Sequence, residues 1–187
     1  MKEVLIVVGS ARFGSSLYIG TETKRVLEEN GCHANLLKLS DYSVEYCDGC
    51  LFCDNHGYCH KKDDMEKLLN LVKEANAVVF ISPTRWSLLS GDMKTFMDRW
   101  NPLAGKNLFD DKLSYIVAVG QTSTKESDSI KKALTSLRYF SDDAGFKLQG
   151  EFIFENCYAP SDICKQEERL SEYINEMKKF VSTIMEV

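Results

Sequence analysis

Five short runs of apolar, largely β-branched residues punctuate the chain, at positions 4–8, 34–39, 77–81, 115–119 and 152–154. Near-continuous hydrophobicity over so few residues suits strands buried on both faces, the pattern of a parallel sheet covered by helices. Segments with helical spacing accompany them, at 19–29, 64–74, 92–100, 127–144 and 167–185. In the second of these, Leu68, Leu69 and Val72 share one face. Strand and helix therefore alternate about five times, and right-handed crossovers turn that alternation into a three-layer α/β sandwich. A chain of 187 residues with 44% hydrophobic content can bury one such core. A single domain over residues 1–187 is expected, with a five-stranded parallel sheet in the order 2-1-3-4-5. An irregular insert at about 41–62 interrupts the second crossover.

In sheets of this order, ligands bind beyond the carboxyl ends of the strands where the order reverses, which directs attention to the loop after the first strand. That loop reads "GSARFGSSLYIG", residues 9–20. Gly9 and Gly14 permit close backbone approach, Ser10, Ser15 and Ser16 bring hydroxyls, Arg12 a cation, and the helix that follows its free N–H groups. Together these make an anion cradle. It lacks both the G-x-G-x-x-G spacing of a dinucleotide site and the G-K-[ST] of a nucleoside-triphosphate loop, so a phosphate monoester such as that of flavin mononucleotide (FMN) is the better match. The same serines and glycines also suit simple capping of the first helix.

Two further loops share this rim. Pro83 stiffens the one after the third strand, and Arg85 and Trp86 bring a cation and a large π surface to where an isoalloxazine ring would lie. After the fourth strand, Gly120 and Gln121 open a loop whose amides would reach the ring's polar edge. Core filling by Trp86 and a plain surface role for Arg85 are the alternatives. A guanidinium against the ring would stabilise the reduced, anionic flavin.

Four motifs occur in a fixed order: "GSxR" after the first strand, "CxGCxxCxxxxxC" with "DDM" in the second crossover, "SPxxW" after the third strand, and "SGxxKxFxDR" on the next helix. This combination, over roughly residues 3–122, resembles the NADPH-dependent FMN reductase-like flavoproteins, in particular the iron–sulfur flavoproteins among them. The resemblance implies a flavodoxin-like fold that binds FMN non-covalently, as a homodimer or homotetramer with the flavin near a subunit contact. It also implies that Ser10, Arg12, Ser15 and Ser16 hold the phosphate, and that Pro83, Thr84, Arg85, Trp86 and Gly120 border the ring. Two positions depart from the family pattern: Ala11 stands for a common proline, and Thr84-Arg85 for a common Val-Tyr pair.

Cys47, Cys50, Cys53 and Cys59 follow C-x2-C-x2-C-x5-C. Three ligands at such spacing let one loop wrap three corners of a [4Fe–4S] cluster, with the fourth arriving beyond a turn. Gly49 and Gly57 ease the tight path. A zinc site drawing on His56 and His60, or no metal at all, are the competing readings. The apolar run of the opening "MKEVLIVVGS" is too short for a signal sequence or a membrane span, so a cytoplasmic chain with no membrane partner is expected. Reduced thiols then argue against a disulfide framework for the seven cysteines. Cys32 and Cys157 read as small buried residues, and Cys164 begins the last helix. Asp63 and Asp64 read as helix caps, and Lys94, Asp98 and Arg99 as a salt-bridge set on one helix face.

These features point to an oxidoreductase in which FMN carries the chemistry, with no catalytic side chain assigned, and a cluster that exchanges single electrons with it. NAD(P)H is a candidate donor, and a small molecule or a ferredoxin-like protein a candidate donor or acceptor. The alternatives are an NAD(P)H-dependent FMN or quinone reductase without a cluster, and a non-catalytic zinc-binding or interaction module. A net charge of -5 gives no basic face for nucleic acid. No Ser/His/Asp set or paired-carboxylate motif supports hydrolysis.

Overall fold

The central strands carry no polar alternation because both of their faces are covered. The computed structural model, which describes all 187 residues, contains five strands: β1 (Glu3–Val8), β2 (His33–Lys38), β3 (Ala77–Pro83), β4 (Leu113–Val119) and β5 (Lys147–Phe154). All pair in parallel, in the order β2-β1-β3-β4-β5, the flavodoxin-like arrangement expected from the sequence. Six helices connect or flank them: α1 (Ser15–Glu29), α2 (Phe52–His56), α3 (Met65–Glu74), α4 (Gly91–Asp98), α5 (Ser129–Asp143) and α6 (Glu167–Glu186). One sheet face presents Val4, Ile6, Val8, Val79 and Ile81 to α1 and α6. The other presents Leu5, Val7, Val78 and Phe80 to α3, α4 and α5. Within these apolar layers, buried hydroxyls are satisfied pairwise. Thr23 on α1 meets Tyr173 on α6 at 2.6 Å, and Ser114 on β4 meets Ser141 on α5 at 2.7 Å.

Element boundaries depart from the apolar pattern where polar residues take part. Helix α1 starts at Ser15 rather than at 19, because Ser15 and Ser16 are buried despite their hydroxyls. Strand β5 starts at Lys147 rather than at 152. It is an edge strand whose first half is only partly covered, and its register against β4 shifts between Ser114 and Tyr115. Helix α4 ends at Asp98, and the chain tightens into a 3-10 turn, Asn101–Leu103, around Pro102.

Beyond the strand ends the ladder continues into the loops. Gly9 N donates to Ile81 O (2.9 Å), Thr84 N to Val119 O (2.7 Å), Gly120 N to Phe154 O (2.9 Å), and Cys157 N back to Gly120 O (2.9 Å). The loops at the switch point are thus fixed to their neighbours at their first residues. The insert, by contrast, leaves the sheet after the 3-10 turn Leu39–Asp41 and returns at α3. It is closed at its base by a reciprocal pair: Asp64 N donates to Ser43 O (3.0 Å) and Ser43 N to Asp64 Oδ2 (2.7 Å). No helix is long and apolar enough to cross a membrane.

Candidate functional site

Helix α1 begins without a cap. Gly14 at its N-cap position is extended (φ -162°) and offers no side-chain acceptor, so the first-turn amides point outward unpartnered by any cap. Around that end the chain buries polar groups: Ser10, Ser15 and Ser16 are each no more than 5% exposed. Ser15 Oγ has no hydrogen-bond partner in the protein, and Ser10 Oγ reaches only Arg12 O, at 3.5 Å. A buried hydroxyl without a partner costs about 1–3 kcal/mol, so these groups are arranged for something that accepts hydrogen bonds. Arg12 lies across the opening, its guanidinium 3.4 Å from Tyr158 O.

The opposite wall comes from β3 and β4. Pro83, Thr84 and Arg85 line one recess with Ser10, Arg12, Ser15 and Ser16, and Val119, Gly120 and Gln121 complete that wall. Thr84 Oγ1 is a second buried hydroxyl without a partner. Gly120 is required sterically, since a Cβ there would overlap the Ile130 side chain. Two cations, two unpaired hydroxyls and an uncapped helix start in a chain of net charge -5 suit a ligand with a phosphate at one end and hydrogen-bonding groups at the other.

Of the rim residues expected from the sequence, Gly14 and Trp86 stand apart from the recess wall: Gly14 serves as the N-cap, and Trp86 extends into solvent, 99% exposed. The reason is local. Arg85 and Leu88 exchange both backbone hydrogen bonds (2.8 and 2.9 Å), so Trp86 and Ser87 form a two-residue turn with φ of 49° and 64°. That is the primed hairpin turn usually built from Asn-Gly, and a bulky residue at positive φ is strained there. The recess includes one residue that sequence reasoning left without a role. Cys157 enters from the loop after β5, 3% exposed, and burial pushes its thiol pKa up.

The second constellation lies in the insert. Left-handed residues at Gly49 (φ 70°), Leu51 (φ 57°) and Gly57 (φ 73°) fold it around the short α2. Cys47, Cys50, Cys53 and Cys59 are all free thiols and line one recess, together with Lys61, Arg99 and Pro102. Four thiolates on one tetrahedral zinc would lie about 3.8 Å apart, given Zn–S bonds of about 2.3 Å. No three of these sulfurs come within 4.8 Å of one another; the donors that do are Asp48, Cys50 and His60, all exposed. The four thiols thus share a recess without converging on one point, and as a donor set their chemistry is that of a thiolate-bound metal centre. His56 turns away, its Nδ1 on Phe52 O and its ring stacked on Phe52.

The expected helix-face set divides. Lys94 and Asp98 do pair along α4, but Arg99 is 2% exposed and forms a two-pronged ion pair with Asp63 (2.6 and 3.0 Å). Asp63 also accepts the Met65 amide at the start of α3 (3.1 Å), the capping role read from the sequence. Asp64, at the N-cap position, makes no side-chain cap and turns its carboxylate to the Ser43 amide instead. No local pattern announces the Arg99 partnership, because its partner is 36 residues away.

A family model described as NADPH-dependent FMN reductase matches residues 2–141. An iron-sulfur flavoprotein of Archaeoglobus fulgidus is 33% identical over 102 residues, 54% of this chain and 46% of that protein. One from Methanocaldococcus jannaschii is 30% identical over 119 residues, 63% of this chain and 62% of its own length. The chain therefore spans between about half and three fifths of these relatives. Among solved structures, an NAD(P)H:quinone oxidoreductase from Methanothermobacter marburgensis superposes with a TM-score of 0.75 at 16% identity, covering 95% of each chain. At that identity the likeness concerns the fold.

Proposed function

The chain belongs to the NADPH-dependent FMN reductase family, and on that premise we propose that it is an FMN-dependent oxidoreductase whose cysteine insert holds a [4Fe–4S] cluster. The observation that carries the reading is the uncapped start of α1 with the partnerless, buried Ser15 Oγ, at the point where strand order reverses. There Ser15, Ser16 and the first-turn amides would hold the FMN phosphate, with Arg12 and Ser10 at its flank. Pro83, Thr84, Gly120 and Gln121 would border the ring, and Cys157 would close the far side. Arg85 supplies a fixed positive charge on the same wall. FMN, when bound, supplies the exchange between one-electron and two-electron chemistry. The protein's part is to bind it, orient it and keep water from one face. An Arg85→Ala protein is expected to show a lower flavin midpoint potential in a spectroelectrochemical titration, since the charge favours the reduced anion.

Cys47, Cys50, Cys53 and Cys59 would be the cluster ligands. NAD(P)H or a ferredoxin-like protein would deliver electrons, and a small molecule would receive them. Phe13, Trp86, Leu88 and Tyr158, all well exposed on loops at the carboxyl ends of the strands, suit a homodimer or homotetramer contact near the flavin. A second reading, an NAD(P)H-dependent FMN or quinone reductase without a cluster, is favoured by one observation: no cysteine of the insert lines the rim recess, which is complete without it. Anaerobic purification followed by an absorption spectrum and assays of iron, sulfide, zinc and FMN separates the two. FMN with about four irons per chain is the expected result. FMN without iron would leave the second reading, and a protein that refuses FMN would overturn both.

A further inference from the structure

Apart from the one short helix α2, the cysteine recess has no regular structure of its own, so its shape must be imposed from outside. Arg99 stands in its wall at the end of α4. One guanidinium nitrogen donates to Asp63 Oδ2 (2.6 Å) and Glu45 O (2.7 Å), the other to Asp63 Oδ1 (3.0 Å). Asp63 Oδ2 in turn accepts the Glu45 amide (3.0 Å). Glu45 precedes Cys47 and Asp63 follows Cys59, so this ion pair ties both ends of the cysteine segment to α4, beside the Ser43–Asp64 bonds at its base and the Lys61 pairs with Glu45 and Asp48. Arg99 Nε keeps no partner, although it is buried. Burial opposes the charge on both groups, yet mutual pairing outweighs it: the Arg99 pKa is raised and that of Asp63 is lowered. Buried ion pairs contribute little net stability compared with apolar replacements, so this one is better explained by what it organises.

We propose that Arg99 is a positioning residue for the four-cysteine recess. Through Asp63 it holds Cys47 to Cys59 in a ligand-ready arrangement and keeps a fixed cation in the recess wall, complementary to an anionic, thiolate-ligated iron–sulfur group. The inference rests on the cluster reading above for its ligand, and on the ion-pair geometry alone for its mechanical part.

The test compares full-length wild type, Arg99→Lys, and a double variant with Arg99→Met and Asp63→Leu. The double variant removes both charges together and so strands no buried ion. After anaerobic reconstitution with ferrous iron and sulfide, resistance of bound iron to a chelator should fall about 10–100-fold in the double variant, the scale seen for groups that orient metal ligands. Arg99→Lys, which keeps the charge but not the fork, should fall between it and wild type. Hydrogen exchange across residues 46–62 should quicken about tenfold, while FMN affinity and exchange in the sheet strands stay near wild type. Wild-type exchange and chelator resistance in the double variant would overturn the proposal. If wild type itself takes up no iron and sulfide, the cluster reading falls, and exchange decides the clamp: quickening confined to 46–62 supports it, and unchanged rates refute it.

Discussion

The two constellations differ in what holds them. The rim residues are anchored by main-chain bonds that prolong the sheet ladder, from Gly9 to Ile81, Thr84 to Val119 and Gly120 to Phe154. The cysteine recess hangs from a side chain that bonds across 36 and 54 residues of sequence. A site held by backbone inherits the stability of the whole sheet, so removing one side chain leaves its frame in place. A site tied to its scaffold by a buried ion pair depends on that pair, and breaking it leaves a charge buried.

The strongest way to expose this difference is Asp63→Ala, which strands the Arg99 guanidinium. A loss of about 3–5 kcal/mol is expected in chemical denaturation. Acid sharpens the point. Burial raises the Asp63 pKa, but Arg99 and the backbone amides outweigh it, so the folded value lies below the ordinary one. Its stabilising contribution is complete above an unfolded pKa of about 3.9 and disappears as pH falls through the folded value. The gap between wild type and Asp63→Asn should therefore narrow below about pH 4.

On the rim, the next largest effect should come from Ser15→Ala. Losing a hydrogen bond to a charged phosphate costs about 1.5–3 kcal/mol of FMN binding, whereas riboflavin, which lacks the phosphate, should bind both proteins alike in a fluorescence titration. Equal losses for both ligands would place Ser15 elsewhere than at the phosphate. Gly120→Val should follow, with about 1–3 kcal/mol of stability lost as its side chain meets Ile130. FMN affinity should fall with it, because the displaced backbone carries the recess wall. A Gly120→Val protein that unfolds earlier but binds FMN normally would break the link between rim and ladder.

The smallest effect is a gain. Trp86→Asn places a residue suited to positive φ in the turn closed by Arg85 and Leu88, and should stabilise the protein by about 1 kcal/mol or less. A simultaneous loss of oligomer in sedimentation, or of FMN affinity, would show that the strain is retained for the exposed indole.

The rim was readable in advance because it follows from topology. Strand order 2-1-3-4-5 brings the loops after β1 and β3 together, whatever else the residues do. Its two surprises are local. Nothing in "TRWSLL" announces a primed turn, since neither central residue is Gly or Asn, and so Trp86 looked equally suited to ring or core. Cys157 reads from the sequence as a small buried residue, and only the bond from its amide to Gly120 O brings it to the rim. The recess was readable only as a spacing of cysteines. Arg99 stands beside Lys94 and Asp98, which do form an ordinary i,i+4 pair, and a helical reading assigns it to that surface set. Only the tertiary fold turns it inward to Asp63.

The reciprocal bonds between Ser43 and Asp64 close the insert on itself before the chain reaches α3. In engineering terms, residues 44–63 are a cassette with a fixed socket. A short turn should bridge Ser43 to Asp64, provided Arg99 is replaced by an apolar residue, and the flavin rim should survive the exchange. Different metal-binding or partner-binding loops can be plugged into the same two contacts. One scaffold could then be tried with several electron carriers while the sheet stays untouched.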